Sequence, residues 1–178
     1  MSTVKNYLSL VKFSHTIFAM PFAMIGFFLG VMRPAYGVGQ WNLNRAIGLG
    51  HEEFANPKLL PTLLLVILCM VFARSAAMAF NRWLDVKFDA LNPRTAIREI
   101  PKGIISKNSA LRFVIFNCIA FIVCTWFINP LCFGLSFVAL AVVLGYSYTK
   151  RFTPLCHLVL GVGLSLAPIG AYLAVVGH

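Results

Sequence analysis

The segment Leu59–Leu84 has the sequence LLPTLLLVILCMVFARSAAMAFNRWL and runs directly into Asp85-Val-Lys-Phe-Asp89. Its apolar part is as long as the roughly 20 residues that a helix needs to cross a bilayer core. Because lipid offers no partners for backbone polar groups, a chain that crosses it must satisfy those groups internally. The segment therefore predicts a transmembrane helix, and this helix ends in a cluster of polar side chains.

The composition supports a membrane protein. Of the 178 residues, 60% are hydrophobic and 11% are charged, whereas about 25% of the residues in a soluble domain are charged. The net charge is +10, yet the basic residues lie between apolar runs and do not form one soluble patch. This distribution argues against nucleic acid as a partner. It favours an anionic substrate or the phosphate groups of membrane lipid.

The apolar runs predict an all-α fold, a polytopic transmembrane bundle in which residues 1–178 form a single domain. Helices are expected because an open sheet edge cannot face lipid. A tight turn at Asn129-Pro130 separates two of the runs. The five predicted spans are about Phe13–Met32, Leu59–Leu84, Leu111–Ile128, Leu131–Tyr148 and Leu155–Val176.

Lysine and arginine are distributed unequally between the two sides of this predicted bundle. The N-terminal tail and the loops after the second and fourth spans carry most of them, which makes their side cytoplasmic by the positive-inside rule. We therefore expect the N-terminus and the acidic motif to face the cytoplasm. The basic residues on this side are Lys5, Lys12, Lys87, Arg94, Arg98, Lys102, Lys107, Arg112, Lys150 and Arg151.

Three oxygen-bearing side chains, Asn81, Asp85 and Asp89, are spaced four residues apart. On a helix this spacing places them on one face. Amide and carboxylate oxygens are hard ligands that suit Mg²⁺. Arg74 lies seven residues before Asn81, on nearly the same face but inside the span, where a charge is costly. It fits either a structural partner for a buried polar group or a functional residue.

A basic segment follows the acidic motif and contains Arg94, Arg98 and Lys102. Arginine clamps phosphate oxygens as a bidentate fork, and lysine does so as a point charge. A divalent cation beside clustered basic side chains indicates a site for an anion that binds metal, and pyrophosphate is the obvious candidate. The alternative is the ordinary positive charge of a cytoplasmic loop.

These motifs resemble the first signature of the UbiA superfamily of intramembrane aromatic prenyltransferases, in particular its 4-hydroxybenzoate polyprenyltransferase-like branch. Two positions depart from the family pattern: Arg82 stands where many relatives have aspartate, and Glu99 stands where many have proline. The matching strings are Asn81-xxx-Asp85-xxx-Asp89, then Arg94-Thr95-xx-Arg98-xx-Pro101-x-Gly103, then Tyr146-Ser-Tyr148-Thr-Lys150-Arg151, and more loosely Lys12, His15 and Pro21.

The resemblance implies an enzyme of the bacterial inner membrane that transfers a polyprenyl group from its pyrophosphate to an aromatic acid in quinone biosynthesis. Asn81, Asp85 and Asp89 would be the catalytic residues and would hold Mg²⁺. The family fold has nine helices and a second acidic motif, so the chain resembles the N-terminal half of such an enzyme. The implied pyrophosphate-binding residues are Arg94, Arg98, Lys102, Lys150 and Arg151, with Lys12, Arg74 and Tyr148 as weaker substrate-binding candidates.

Three other functions fit parts of the pattern. A CDP-alcohol phosphotransferase also uses acidic residues four apart near a membrane surface, but its longer Asp-Gly…Ala-Arg…Gly pattern is not found in this sequence. An ion-coupled transporter would carry acidic residues deeper in its spans, where this chain has only Arg74. An inactive membrane fragment is the third alternative, since a second acidic motif is absent from these 178 residues.

Overall fold

The structure, a computed structural model, describes residues 3–32, 57–149, 152 and 156–177. Within these ranges the chain forms two short helices and five long ones. The connection 33–56 and the predicted site residues Lys150 and Arg151 lie outside the described residues. The helices are α1 (Thr3–Leu10), α2 (Phe13–Val31), α3 (Leu59–Leu84), α4 (Val86–Leu91), α5 (Lys107–Ile128), α6 (Pro130–Thr149) and α7 (Cys156–Val176).

The predicted all-α transmembrane bundle is confirmed. Helices α3, α5, α6 and α7 are each long and apolar enough to cross a membrane, and α2 contributes a shorter apolar stretch, Ala19–Val31. Many large apolar side chains on these helices are exposed, including Phe116, Trp126 and Phe127. In water such a surface would be unfavourable, whereas in a bilayer it faces lipid. The chain is an integral membrane protein.

Helix α3 occupies the centre of the bundle and contacts each of the other four long helices. On one side, α2 packs closely against α7. A Cβ added at Gly26 would lie 2.1 Å from the carbonyl oxygen of Pro168, and one added at Gly30 would lie 2.9 Å from Cβ of Val175. Two glycines four residues apart thus allow the backbones to approach, as small residues do between membrane helices.

One end of the bundle is held by packed apolar side chains, which we call the apolar cluster. Asn129 adds a polar link there: its Nδ2 donates to the carbonyl of Leu173 at 3.0 Å, and its Oδ1 accepts from the Cys132 amide at 2.6 Å. The predicted turn at Asn129-Pro130 is confirmed. The cluster consists of Ala23, Phe27, Val31, Val66, Ile128, Cys132, Ala171 and Ala174.

At the opposite end, a second cluster joins α1, the last turns of α3, the first turns of α5 and the connection between α4 and α5. We call residues 92–105 of that connection the site loop. Gly103 has a φ of 75°, which glycine adopts without steric cost, and it turns the loop back toward α5. This site cluster consists of Leu10, Ala79, Ile100, Ile105, Ala110 and Val114.

Candidate active site

The acidic motif lies where α3 passes into α4. Asp85 interrupts the helix at Leu84, but the helical hydrogen bonds continue across it. Its amide donates to the carbonyl of Asn81 at 3.0 Å, and the Asp89 amide donates to the carbonyl of Asp85 at 2.8 Å. The motif therefore keeps the four-residue spacing of a helix, as the sequence predicts, and α4 leads directly into the site loop.

A small polar pocket opens beside the motif, with a volume of about 190 Å³. Its wall combines oxygen-bearing side chains from the end of α3 with basic side chains from three parts of the chain. Of the predicted site residues, the structure brings four together here: Lys12, Asn81, Asp85 and Arg98. The complete lining is Lys12, Met78, Asn81, Arg82, Asp85 and Arg98.

Asp89, the third member of the motif, is buried and bound to the site loop. Nη1 of Arg98 lies 2.8 Å from both carboxylate oxygens of Asp89. The loop is tied again at the same residue, because Thr95 Oγ1 donates to the carbonyl of Asp89 at 2.9 Å. Arg98 therefore binds a carboxylate through Nη1 while it lines the pocket.

Arg82 and Glu99 form a second ion pair at this end of the bundle. Arg82 is 8% exposed, and its Nη1 donates to Oε2 of Glu99. The other carboxylate oxygen of Glu99 accepts from Ser9 Oγ of α1. Both residues are departures from the pattern of the family that the chain resembles, and the structure pairs them with each other. Sequence reasoning did not find this contact, because 17 residues separate the pair.

Lys12 separates α1 from α2 and has a left-handed backbone conformation, with φ 43° and ψ 62°. It is the one residue other than glycine with a positive φ among the described residues. Such a conformation costs a non-glycine residue about 1–2 kcal/mol. Strained residues of this kind cluster at functional sites. The strain and the pocket lining together strengthen Lys12 as a candidate site residue.

The remaining predicted residues that the structure describes do not line the pocket. Arg94 and Lys102 are exposed on the site loop. Arg74 lies deeper in α3, and its Nε is buried without a hydrogen-bond partner in the described part of the chain. Tyr148 packs against α3, with its ring centroid 5.8 Å from that of Phe80.

The described residues contain no group of three or more His, Cys, Asp or Glu side chains placed to hold a metal ion. Magnesium does not require such a group, because it is commonly held by one or two carboxylates together with water and substrate phosphates. Asp85 and Asn81 line the same pocket and offer hard oxygen atoms. The donor set therefore fits a Mg²⁺ ion that binds together with a phosphate ligand.

The sequence profile of the UbiA prenyltransferase family matches residues 46–178. The chain belongs to this family. Two solved structures share its fold. A UbiA homologue from Aeropyrum pernix K1 has a TM-score of 0.73 at 30% identity, covering 92% of this chain and 51% of that one. A digeranylgeranylglyceryl phosphate synthase has a TM-score of 0.76 at 19% identity, covering 98% of this chain and 54% of that one.

Curated relatives are named 4-hydroxybenzoate octaprenyltransferase. The protein from Aeromonas hydrophila is 37% identical over 115 residues, which is 64% of this chain and 39% of that protein. The protein from Tolumonas auensis is 38% identical over 118 residues, 66% of this chain and 41% of that protein. The aligned region thus spans about two fifths of the length of these curated relatives, and the chain spans about half of the solved structures.

Proposed function

We propose that this chain serves in the Mg²⁺-dependent transfer of a polyprenyl group from a polyprenyl diphosphate to an aromatic acid such as 4-hydroxybenzoate. The observation that carries the proposal is the pocket in which Asn81 and Asp85 face Lys12, Arg82 and Arg98. Family membership and the names of the relatives support the reaction class. The prenylated aromatic acid would be an intermediate in quinone biosynthesis.

The pocket size and charge support a diphosphate head group as the ligand. At about 190 Å³, the pocket is smaller than the roughly 300–1,000 Å³ that encloses a whole drug-sized ligand. A head group fits that space while an isoprenoid tail extends along the exposed apolar helices into lipid. Arg98 and Lys12 would bind phosphate oxygens in the pocket. The exposed Arg94 and Lys102 would cover it from the cytoplasmic side of a bacterial inner membrane. Lys150 and Arg151 remain proposed pyrophosphate-binding residues on the ground of the family resemblance alone.

Magnesium, held by Asp85 and Asn81 with Asp89 nearby, would neutralise negative charge on the departing diphosphate. Arg98 and Lys12 would stabilise the same charge as it develops. The C–O bond between the prenyl group and the diphosphate breaks, and a C–C bond forms to a ring carbon of the acceptor. The ring carbon then releases its proton to the departed diphosphate, and the ring regains its aromaticity. Water must be excluded, because it would otherwise capture the allylic cation.

Arg74 is the candidate for recognition of the acceptor. It lies on α3 seven residues before Asn81, which returns it to the same side of the helix about two turns deeper. The buried Nε of Arg74 has no hydrogen-bond partner among the described residues, which is costly unless a ligand or another part of the protein supplies one. The carboxylate of an aromatic acid would do so and would orient the ring above the prenyl carbon.

The alternatives predicted from the sequence have less support. Membership of the prenyltransferase family favours prenyl transfer over CDP-alcohol phosphotransfer. An ion-coupled transporter needs acidic groups along its spans. In the described residues, however, the three acidic side chains, Asp85, Asp89 and Glu99, all lie at the polar end.

The deciding experiment measures binding of geranyl diphosphate, a water-soluble prenyl diphosphate, to the chain in lipid nanodiscs by calorimetry. We expect binding with Mg²⁺ and none with EDTA, and a loss of affinity of about ten-fold or more in Arg98→Gln, because it loses a charge-assisted phosphate contact. Lys87→Gln, which removes an exposed charge two residues from Asp85, is the matched control. Binding that is insensitive to Mg²⁺ would exclude the proposed head-group site.

A second measurement tests the acceptor. The chain is incubated with Mg²⁺, a polyprenyl diphosphate and 4-hydroxybenzoate, and prenylated acid is detected by mass spectrometry. Arg74→Gln should raise KM for the aromatic acid more than KM for the diphosphate. An equal rise of both values would contradict the assignment of Arg74 to the acceptor.

A further inference from the structure

The ion pair between Arg82 and Glu99 joins three segments that are distant in sequence. Arg82 belongs to the last turn of α3, Glu99 to the site loop and Ser9 to α1. Glu99 uses one carboxylate oxygen for each partner. Because both oxygens are engaged, the carboxylate fixes the position of the loop backbone at residue 99 relative to two helices.

The neighbouring residue, Arg98, is fixed by the same arrangement. Arg98 binds Asp89, and Glu99 binds Arg82, so consecutive residues of the loop are paired with positions seven residues apart on the helical segment. Seven residues are about two helical turns, so both pairs lie on one side of that segment. The loop is therefore attached to this segment at two adjacent residues, and Arg98 is one of them.

Apolar contacts hold the loop on the other side of Glu99. Ile100 and Ile105 are buried in the site cluster together with Leu10 and Ala79. The Ile105 amide donates to the carbonyl of Glu99 at 3.1 Å, which closes the loop on itself. Glu99 thus connects the ion pairs to the apolar anchor, and movement at this residue would be transmitted to Arg98.

We infer that Arg82 and Glu99 act as a matched pair of positioning residues that holds Arg98 against the pocket for diphosphate binding. This inference rests on the proposed function. Arg82 lines the pocket, but its guanidinium group is buried and committed to Glu99. The role of Arg82 is therefore to hold the site loop in position, whereas Arg98 and Lys12 contact the diphosphate. Removal of either partner would leave a buried charge uncompensated.

The test uses the full chain in nanodiscs and compares Arg82→Gln and Glu99→Gln with the charge-swapped variant Arg82→Glu/Glu99→Arg. The first readout is hydrogen exchange at the Ile105 amide without any ligand. We expect each single variant to speed exchange by about ten-fold or more, and the swap to restore it to within about three-fold of the unaltered chain. Lys87→Gln is the control and should leave exchange unchanged.

The second readout is the Mg²⁺-dependent Kd for geranyl diphosphate. Single variants should weaken binding by about ten-fold, and the swap should restore it. The reason is that Arg98 is positioned by an ion pair between residues 82 and 99, whichever of the two carries the positive charge. If the swap restores exchange but not binding, Arg82 contacts the ligand directly and the inference is overturned. Unchanged exchange and binding in the single variants overturn it as well.

A milder variant covers the case in which the charge variants fail to fold. Ser9→Ala removes one hydrogen bond to Glu99 and leaves both charges in place. It should speed Ile105 exchange by about three-fold and weaken binding by a similar factor. No effect on either readout would overturn the inference. Absence of diphosphate binding by the unaltered chain would count against the proposed function instead, since the exchange measurement needs no ligand.

Discussion

The two ends of the bundle are stabilised by different interactions. The apolar cluster joins α2, α3, α5, α6 and α7 through close helix packing, and its main polar link, Asn129, uses both side-chain functions for backbone groups. The polar end has a smaller apolar cluster and two ion pairs, and it contains Lys12 in a strained conformation. Buried charge and strain reduce stability, which is consistent with the ligand site that we propose at this end.

The comparison predicts that changes at the two ends separate stability from binding. A residue of the apolar end should affect the free energy of unfolding and leave ligand affinity nearly unchanged. A residue that contacts the ligand at the polar end should affect ligand affinity and leave the free energy of unfolding nearly unchanged. The following predictions test this separation, beginning with the largest expected effect.

Asp85→Asn should have the largest effect, on binding alone. It removes the carboxylate that we assign to Mg²⁺ but keeps the shape of the side chain. We expect the Kd for geranyl diphosphate in the presence of Mg²⁺ to rise about 100-fold, equivalent to about 2.7 kcal/mol. The thermal midpoint should stay close to that of the unaltered chain. A change in Kd below about three-fold would remove Asp85 from the metal site.

The position of the acidic motif at the end of a helix was predictable because its spacing is local. Asn81, Asp85 and Asp89 recur every four residues, and the long apolar run before them predicts the helix that carries them. The predicted span Leu59–Leu84 has the observed bounds. Helix α5 begins four residues earlier than predicted, at Lys107, because Ser106 caps it by accepting from the Ser109 amide at 3.1 Å.

The ion pairs were not predictable in the same way. Arg98 binds Asp89 and Glu99 binds both Arg82 and Ser9, and the last of these contacts links residues 90 positions apart. Single-sequence patterns report periodicity along an element, whereas these contacts depend on how the site loop folds back over α3. The short helix α1 was also not predicted, because its eight residues are too few to cross a membrane.

Gly26→Ala tests the apolar end. The added Cβ would lie 2.1 Å from the carbonyl oxygen of Pro168, so α2 and α7 must separate. We expect the free energy of unfolding to fall by about 2 kcal/mol, in the range for overpacked sites. It can be measured by titration with denaturing detergent. Gly170→Ala in α7 is the control, since no atom lies within 4 Å of its added Cβ.

The result would contradict the comparison if Gly26→Ala weakened diphosphate binding as strongly as it reduced stability. Such an outcome would mean that helix packing at the apolar end is transmitted to the pocket. If Gly26→Ala and Gly170→Ala have the same free energy of unfolding, the close approach of α2 and α7 is excluded.

Asn129→Ala should have a smaller effect on stability. The substitution leaves the Cys132 amide and the Leu173 carbonyl without their side-chain partner. A buried polar group without a partner costs about 1–3 kcal/mol. We expect a loss near the lower end of this range, because the Leu173 carbonyl also accepts from the Gly177 amide at 2.8 Å. Diphosphate affinity should be unaffected, and a parallel loss of affinity would argue against separate roles for the two ends.

Lys12→Gly should have the smallest net effect and should change stability and binding in opposite directions. Glycine adopts a φ of 43° without the steric cost that lysine incurs, so the variant should unfold less readily by up to about 1 kcal/mol. It also removes a cation that lines the pocket, so the Kd for the Mg²⁺–diphosphate ligand should rise about five-fold. Lys12→Ala separates the two contributions, because alanine removes the charge but keeps the strain. If Lys12→Gly gains stability without losing affinity, the strained conformation is needed only to connect α1 and α2, and Lys12 does not contribute to ligand binding.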